Sequence, residues 1–265
     1  MMNKTIHRFD LSNSNALITG GGRGIGQAIS LALAEDGARV AINYRRDDEA
    51  ANETVAAIEG AGGIAQTYCA SVDQYEEDRE MVAAIEADLG AVSILVNNAG
   101  IASRGLSVAD TDPDELRRVV STHAFAAHYL SKLVIPGMRE QDRGDIIMIS
   151  SAATKGLGAN GAPYNMAKTA QETLAYTLSK EERVHGIRVN IVAPGLVETE
   201  MGRRLMRATA GVNNLRDLDA TMPFGKVCQP EDVANVVRYL VSDKSSYVTG
   251  ERIYCDGGGP LVASS

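Results

Sequence analysis

Cysteine is scarce in this chain: Cys69, Cys228 and Cys255 are the three in 265 residues. They are odd in number and form no Cys-x-x-Cys pair. That speaks against a disulfide framework and a zinc ribbon, and leaves reduced thiols as the reading. The four histidines, His7, His123, His128 and His185, also lack ligand spacing, so no metal site is expected. Positive charge is in deficit. A net charge of −8 argues against nucleic acid or an anionic membrane as the main partner. The first ten residues hold no apolar signal-peptide core, and no run reaches membrane-spanning length. No repeat of 20–50 residues and no low-complexity linker divides the chain. A cytoplasmic protein of one domain, residues 1–265, is expected.

What is present is ordinary globular composition, 45% apolar and 23% charged. A short apolar run, a Gly or Asp turn and a helical pattern recur in that order. Strands are predicted over 16–19, 39–44, 65–68, 93–96, 145–150, 188–192 and 252–254. Helices are predicted over 24–34, 48–59, 75–89, 113–133, 163–184 and 230–240. Asp112 can cap the fourth helix, Pro113 suits its first turn, and Glu115 stands where a capping box needs an acid. Continuous apolar strands alternating with helices mean a parallel sheet covered on both faces. Right-handed crossovers then favour a doubly wound α/β sheet, with ligands beyond the carboxyl ends of the strands.

The residues after the first strand read Thr19-Gly20-Gly21-Gly22-Arg23-Gly24-Ile25-Gly26. Gly20 permits the tight turn, Gly24 lets backbone approach a pyrophosphate, and Gly26 allows helix to pack on strand. The helix opening there offers unpaired N–H groups to an anion. A tight turn can need glycines for steric reasons alone, but its place after the first strand predicts dinucleotide binding. The second strand ends Tyr44-Arg45-Arg46. Tyr44 holds the place where an NAD site wants an acid for the ribose 2′-hydroxyl. Arg45, Arg46 and Arg23 supply the cationic forks that suit a 2′-phosphate, so NADP(H) is favoured. The alternative is a solvated arginine pair, with Asp47 and Asp48 close enough to engage it.

Taken together, several motifs make the chain resemble the short-chain dehydrogenase/reductase family, near its 3-oxoacyl-carrier-protein reductase branch. They are the glycine turn, Asn97-Asn98-Ala99-Gly100, Ser150-Ser151, Tyr164-Asn165-Met166-Ala167-Lys168, Pro194-Gly195 with Thr199, and Asp256-Gly257-Gly258. The resemblance implies a Rossmann-type sheet of about seven strands and hydride exchange between NADP(H) and a small carbonyl or secondary alcohol. It implies that Asn98, Ala99 and Gly100 meet the adenosine ribose. Pro194, Gly195, Val197 and Thr199 are expected to bound the nicotinamide, and Lys168 beside Tyr164 to bond its ribose. The chemistry of the residues agrees. Tyr164 and Lys168 lie four apart on a predicted helix and share a face. An ammonium there draws the phenol towards working pH, where it can exchange a proton. Ser151 can hold the substrate oxygen. Alone, Tyr-x-x-x-Lys is a common surface pair.

Two positions depart from the family pattern. His123 stands where an asparagine usually completes the proton relay. It is read either as a relay group with an altered pH dependence or as a packed histidine that impairs the relay. Ser71, then Val72, stands where an acid often meets adenine. Residues 198–222 are expected to form a substrate lid, whose Met201, Leu205 and Met206 suit an apolar wall. Arg203, Arg204 and Arg207 there are either an anion-binding set or a solvated face. The long helices near 113–135 and 163–184 imply a homotetramer by resemblance. A catalytically weak NADP(H)-binding protein is the rival to the enzyme reading, and His123 is the one feature that favours it.

Overall fold

Each predicted apolar run forms a strand in the computed structural model, which describes residues 9–259. The chain runs β1 (Asn15–Ile18), α1 (Gly24–Glu35), β2 (Arg39–Tyr44), α2 (Asp48–Gly60), β3 (Ile64–Cys69), α3 (Tyr75–Leu89) and β4 (Ile94–Asn97). It continues through α4 (Pro113–Val120), α5 (Ala126–Arg139), β5 (Gly144–Ile149), the short α6 (Ala153–Gly156), α7 (Ala162–Glu182) and β6 (Ile187–Pro194). It ends with α8 (Glu200–Ala210), α9 (Pro230–Leu240) and β7 (Arg252–Cys255). The strands form one parallel sheet in the order β3-β2-β1-β4-β5-β6-β7.

Alternation along each strand divides the core into two layers. Ile18, Val96 and Ile147 join Ile29, Leu33, Ile58 and Leu240 on the face covered by α1, α2 and α9. Their chain neighbours Leu17, Leu95 and Ile146 join Ile85, Leu130 and Leu178 under α3, α5 and α7. Each such side chain contributes roughly 1.5–3 kcal/mol by leaving water. β1 pairs with β2 on one side and β4 on the other, so the winding direction reverses between β1 and β4. That crevice receives the glycine turn.

The helix predicted over 113–133 is not one α-helix. α4 gives way to a π-helical turn, Ser121–Phe125, and α5 then runs on to Arg139. The wider turn is closed by Ala126 N–H donating to Ser121 O. Inserting a residue this way re-aims the side chains beside it, a device frequent at functional sites. Asp112 caps α4 as expected, accepting from Asp114 N–H at 2.9 Å. Glu115 does not close a capping box. Its buried carboxylate accepts from Arg104 N–H at 2.5 Å and so ties down the loop after β4.

Candidate active site

At the end of β1 the chain turns so tightly that a Cβ on Gly26 would lie 2.1 Å from Gly20 O and 2.7 Å from Asn98 Nδ2. Gly24, at φ +55°, approaches the Thr199 methyl, which lies 3.3 Å from where its Cβ would stand. Arg23 offers α1 no side-chain cap, and its first turn holds no acid. The N–H groups there are therefore available to an anion, so the cradle fits a pyrophosphate.

Neutral amides fix this turn. Asn98 Nδ2 donates to Thr19 O at 2.8 Å and Gly20 O at 3.2 Å, and Asn98 and Ala99 N–H both donate to Thr19 Oγ1 at 2.9 Å. The Asn98 amide nitrogen is thus spent on the turn. Asn43, which sequence reasoning passed over, does comparable work. Its Oδ1 accepts from Gly20 N–H at 3.2 Å, and its Nδ2 donates to Ala70 O at 3.0 Å. The signal was a buried asparagine inside an otherwise apolar strand, which needs partners of its own.

Tyr44 is half-buried at the end of β2, and Arg45 and Arg46 are exposed beside it. Arg23 pairs with Asp47 at 3.3 Å across an exposed gap, while Arg45 and Arg46 make no ion pair among the described residues. Asp47 also caps α2 through Ala50 N–H. The Ser71 hydroxyl donates to Asp73 at 2.7 Å and its N–H to Glu77 at 2.7 Å, and Val72 is buried.

Beyond β5 and β6 the site changes character. Ser151 follows β5, and Tyr164 and Lys168 share the inner face of α7. Lys168 is buried, donating to Ile149 O at 2.6 Å and Gln171 Oε1 at 3.2 Å. Burial lowers its pKa to about 7, with Glu172 pulling the other way. Its Nζ lies 5.9 Å from the centre of the Tyr164 ring. The expected lowering of the Tyr164 pKa by this ammonium is not found. Burial raises it, and Ser151 lowers it only in part. Lys168 Nζ is turned to Ile149 O and Gln171 Oε1. Gln171 and Glu172 went unnoticed in the sequence, although positions three and four after Lys168 share its face. Glu172 binds Ser150 Oγ at 2.6 Å, Thr154 Oγ1 at 2.9 Å and Arg252 at 2.7 Å, joining α7 to β5, α6 and β7.

His123 lies in the π turn, fully packed. Its Cε1 stands only 2.4 Å from where a Gly100 Cβ would be, and its ring meets Tyr164 edge-on at 5.4 Å between centres. Nε2 lies 2.8 Å from Ile101 O and 3.1 Å from Ile101 N. Nε2 donates to Ile101 O in one tautomer and accepts from Ile101 N–H in the other, and Nδ1 is buried with no partner among the described residues. Burial first, and the Lys168 charge second, lower the imidazole pKa to about 3. Of the two readings above, this burial favours the packed, neutral histidine over one that titrates near neutrality.

The far wall is the segment after β6. Gly195 N–H donates to Cys255 O at 3.0 Å, and Glu198 N–H to Cys228 O at 2.8 Å. Thr199 caps α8, its hydroxyl accepting from Gly202 N–H at 3.0 Å and donating to Val197 O at 3.3 Å. Within the expected lid, Arg203 pairs with Glu198 and Arg204 with Glu200, which supports the solvated-face reading for those two. Met201 and Leu205 stay exposed. Cys228 and Cys255, 27 positions apart in sequence, face each other with sulfurs 3.9 Å apart. Among the described residues no three His, Cys, Asp or Glu side chains gather as a metal site, and no helix is long and apolar enough to cross a membrane.

Residues 20–259 match the family model described as enoyl-(acyl carrier protein) reductase. The chain is 35% identical over 243 residues to acetoacetyl-CoA reductase of Shinella zoogloeoides, covering 92% of this chain and 97% of that one. It is 35% identical over 249 residues to a 3alpha-hydroxysteroid dehydrogenase of Mediterraneibacter gnavus, covering 93% and 97%. Among solved structures, a 7 alpha-hydroxysteroid dehydrogenase complexed with NADH and 7-oxo glycochenodeoxycholic acid superposes with a TM-score of 0.87 at 31% identity, covering 95% and 96%.

Proposed function

This chain belongs to the short-chain dehydrogenase/reductase family, and from that premise we propose an NADP(H)-linked reductase of small carbonyl compounds with Tyr164 as its proton donor. Membership makes it an oxidoreductase working between a nicotinamide cofactor and a carbonyl or alcohol. When bound, the cofactor supplies the hydride. The observation that carries the rest is the Tyr164 phenol, which burial keeps protonated, on the helix face of Lys168 and edge-on to His123, with Ser151 offsetting part of that burial. A phenol that holds its proton can give it to a carbonyl oxygen as general acid, and the phenolate so formed can take one back from an alcohol in the reverse direction. Tyr164 donates that proton to the carbonyl oxygen while Ser151 holds the same oxygen. Lys168 orients the nicotinamide ribose. His123, neutral and edge-on to Tyr164, positions the phenol.

The glycine turn, from Gly20 through Gly22, Arg23, Gly24 and Ile25 to Gly26, would hold the pyrophosphate. Arg45 and Arg46, exposed with no carboxylate in the ribose position, support NADP(H) over NAD(H). Val72 and Ser71 would flank adenine, Ala99 and Gly100 the ribose, and Pro194, Gly195, Val197 and Thr199 the nicotinamide. The substrate is a ketone, a 3-oxoacyl thioester among the candidates, under a lid over 198–222. Exposed Phe125 and Met166 on the long helices support a homotetramer, and light scattering that gives a monomer would remove it. One domain and a cytoplasmic location complete the reading.

The deciding experiment follows NADPH and NADH consumption against a 3-oxoacyl thioester, a diketone, a cyclic ketone and a keto sugar. Turnover preferring NADPH is expected. Tyr164→Phe should lower kcat by roughly 10²–10⁴-fold while NADPH still binds. Tight NADPH binding without turnover in either direction would transfer the chain to the binding-protein reading.

A further inference from the structure

Cys228 and Cys255 are half-buried free thiols whose sulfurs lie 3.9 Å apart, one just before α9 and the other at the end of β7. A disulfide needs its sulfurs at about 2.0 Å, so closure asks for roughly 2 Å of approach. Their surroundings give the pair a consequence. The backbone carbonyl of each accepts a hydrogen bond from the segment that walls the site, Cys255 from Gly195 and Cys228 from Glu198. Val197 and Cys228 also form a parallel bridge. The third thiol, Cys69, is exposed on β3 and has no thiol partner among the described residues.

We propose that Cys228 and Cys255 are a modification site, a dithiol that a low-molecular-weight disulfide closes reversibly to an intramolecular bridge, clamping the segment 195–198 from behind. Cys255 is the attacking sulfur. Either sulfur can be the donor across their contact, and where the Cys228 S–H donates it favours the Cys255 thiolate. The Cys255 thiolate attacks one sulfur of the oxidant. The oxidant's S–S bond breaks, one thiolate leaves and takes a proton from water, and a mixed disulfide remains on Cys255. Cys228 then gives its proton to water and attacks Cys255 Sγ, expelling the second small thiol. Two electrons pass from the protein thiols to the oxidant, which ends as two thiols.

The test uses Cys69→Ser protein and oxidised glutathione, and reads thiols and intact mass rather than turnover. Its failure would therefore leave the proposed activity standing. Free thiols should fall from two to none with a mass loss of two hydrogens, a peptide linking Cys228 to Cys255 should appear, and dithiothreitol should reverse both. Two thiols surviving prolonged incubation, or stable glutathione adducts on both sulfurs, would overturn the site. Cys228→Ser should prevent closure and leave a glutathione adduct on Cys255. If that variant does not fold, linked-peptide mapping of the unsubstituted chain decides the same point. Amide hydrogen exchange at Gly195 and Glu198 should slow about tenfold on oxidation, and unchanged exchange would overturn the clamp.

Discussion

The two ends of the site are built from different materials. At the nucleotide end the work is done by backbone and by neutral amides. Asn43, Asn98 and Thr19 fix the glycine turn with hydrogen bonds that involve no net charge. At the proton-transfer end ionisable groups are crowded out of water, and burial moves Lys168 to about 7 and His123 to about 3. Steric fit is enough to receive a cofactor. The proposed proton transfer needs groups whose affinity for a proton has been displaced, and burial displaces Lys168 and His123.

The largest expected effect that sharpens this contrast concerns the exposed rim of the nucleotide end. If Arg45 and Arg46 grip a 2′-phosphate, replacing both by Ala should lower the NADPH-over-NADH preference in kcat/KM by about 10–100-fold, the range of a few charge-assisted hydrogen bonds. NADH turnover itself should hardly change. An unaltered preference would return the two arginines to a solvated face.

Asp78 breaks the pattern. It lies in the first turn of α3, on the nucleotide side, fully buried, and neither carboxyl oxygen has a partner among the described residues. Burial first, then the charges of Asp73 and Glu77, raise its pKa to about 8. The folded state therefore keeps a proton that the unfolded state loses near the usual carboxylate value. Stability from this group is full below that value and falls as pH rises towards about 8. Asp78→Asn should stabilise the protein at pH 8, by on the order of 1–3 kcal/mol, and have little effect at pH 4. Thermal melts across that range check it, and a gain that does not grow with pH would show that Asp78 is not carrying a buried proton.

Much of the frame was legible beforehand, because it depends on local pattern. Continuous apolar runs announced all seven strands, and the Thr19–Gly26 spacing announced the crevice between β1 and β4. What stayed hidden depends on three-dimensional neighbours. The π turn leaves no periodicity of its own in Ser-Thr-His-Ala-Phe. Nothing along the chain shows that Lys168 donates to Ile149 O rather than drawing down Tyr164. Glu115 stood in the right place for a capping box, yet a closer donor, Arg104 N–H, took its carboxylate. Cys228 and Cys255 read as scattered thiols until β7 paired with β6 and Cys228 bridged to Val197 just beyond it, which brought their sulfurs together.

The smallest expected effect on rate, and the sharpest on the meaning of His123, comes from His123→Asn. A neutral, fully packed imidazole contributes no ionisation to catalysis in the working range. The pH–rate profiles of the two proteins should therefore coincide between pH 5 and 9, with any inflection near 7 belonging to Lys168 in both. Stability should behave differently. The folded pKa of His123 is about 3, well below its unfolded value, so between the two the unfolded chain binds a proton that the folded chain does not. The native protein thus loses stability as pH falls below about 6.5, at about 1.4 kcal/mol per pH unit from this group. His123→Asn removes that slope, so denaturant midpoints for the two proteins should converge towards the variant's favour as pH drops to 5. A profile displaced by a full pH unit, with the acid slope of stability unchanged, would restore His123 as a titrating member of the relay. Coincident profiles with a flattened slope would make it a positioning residue that holds Tyr164 by shape alone.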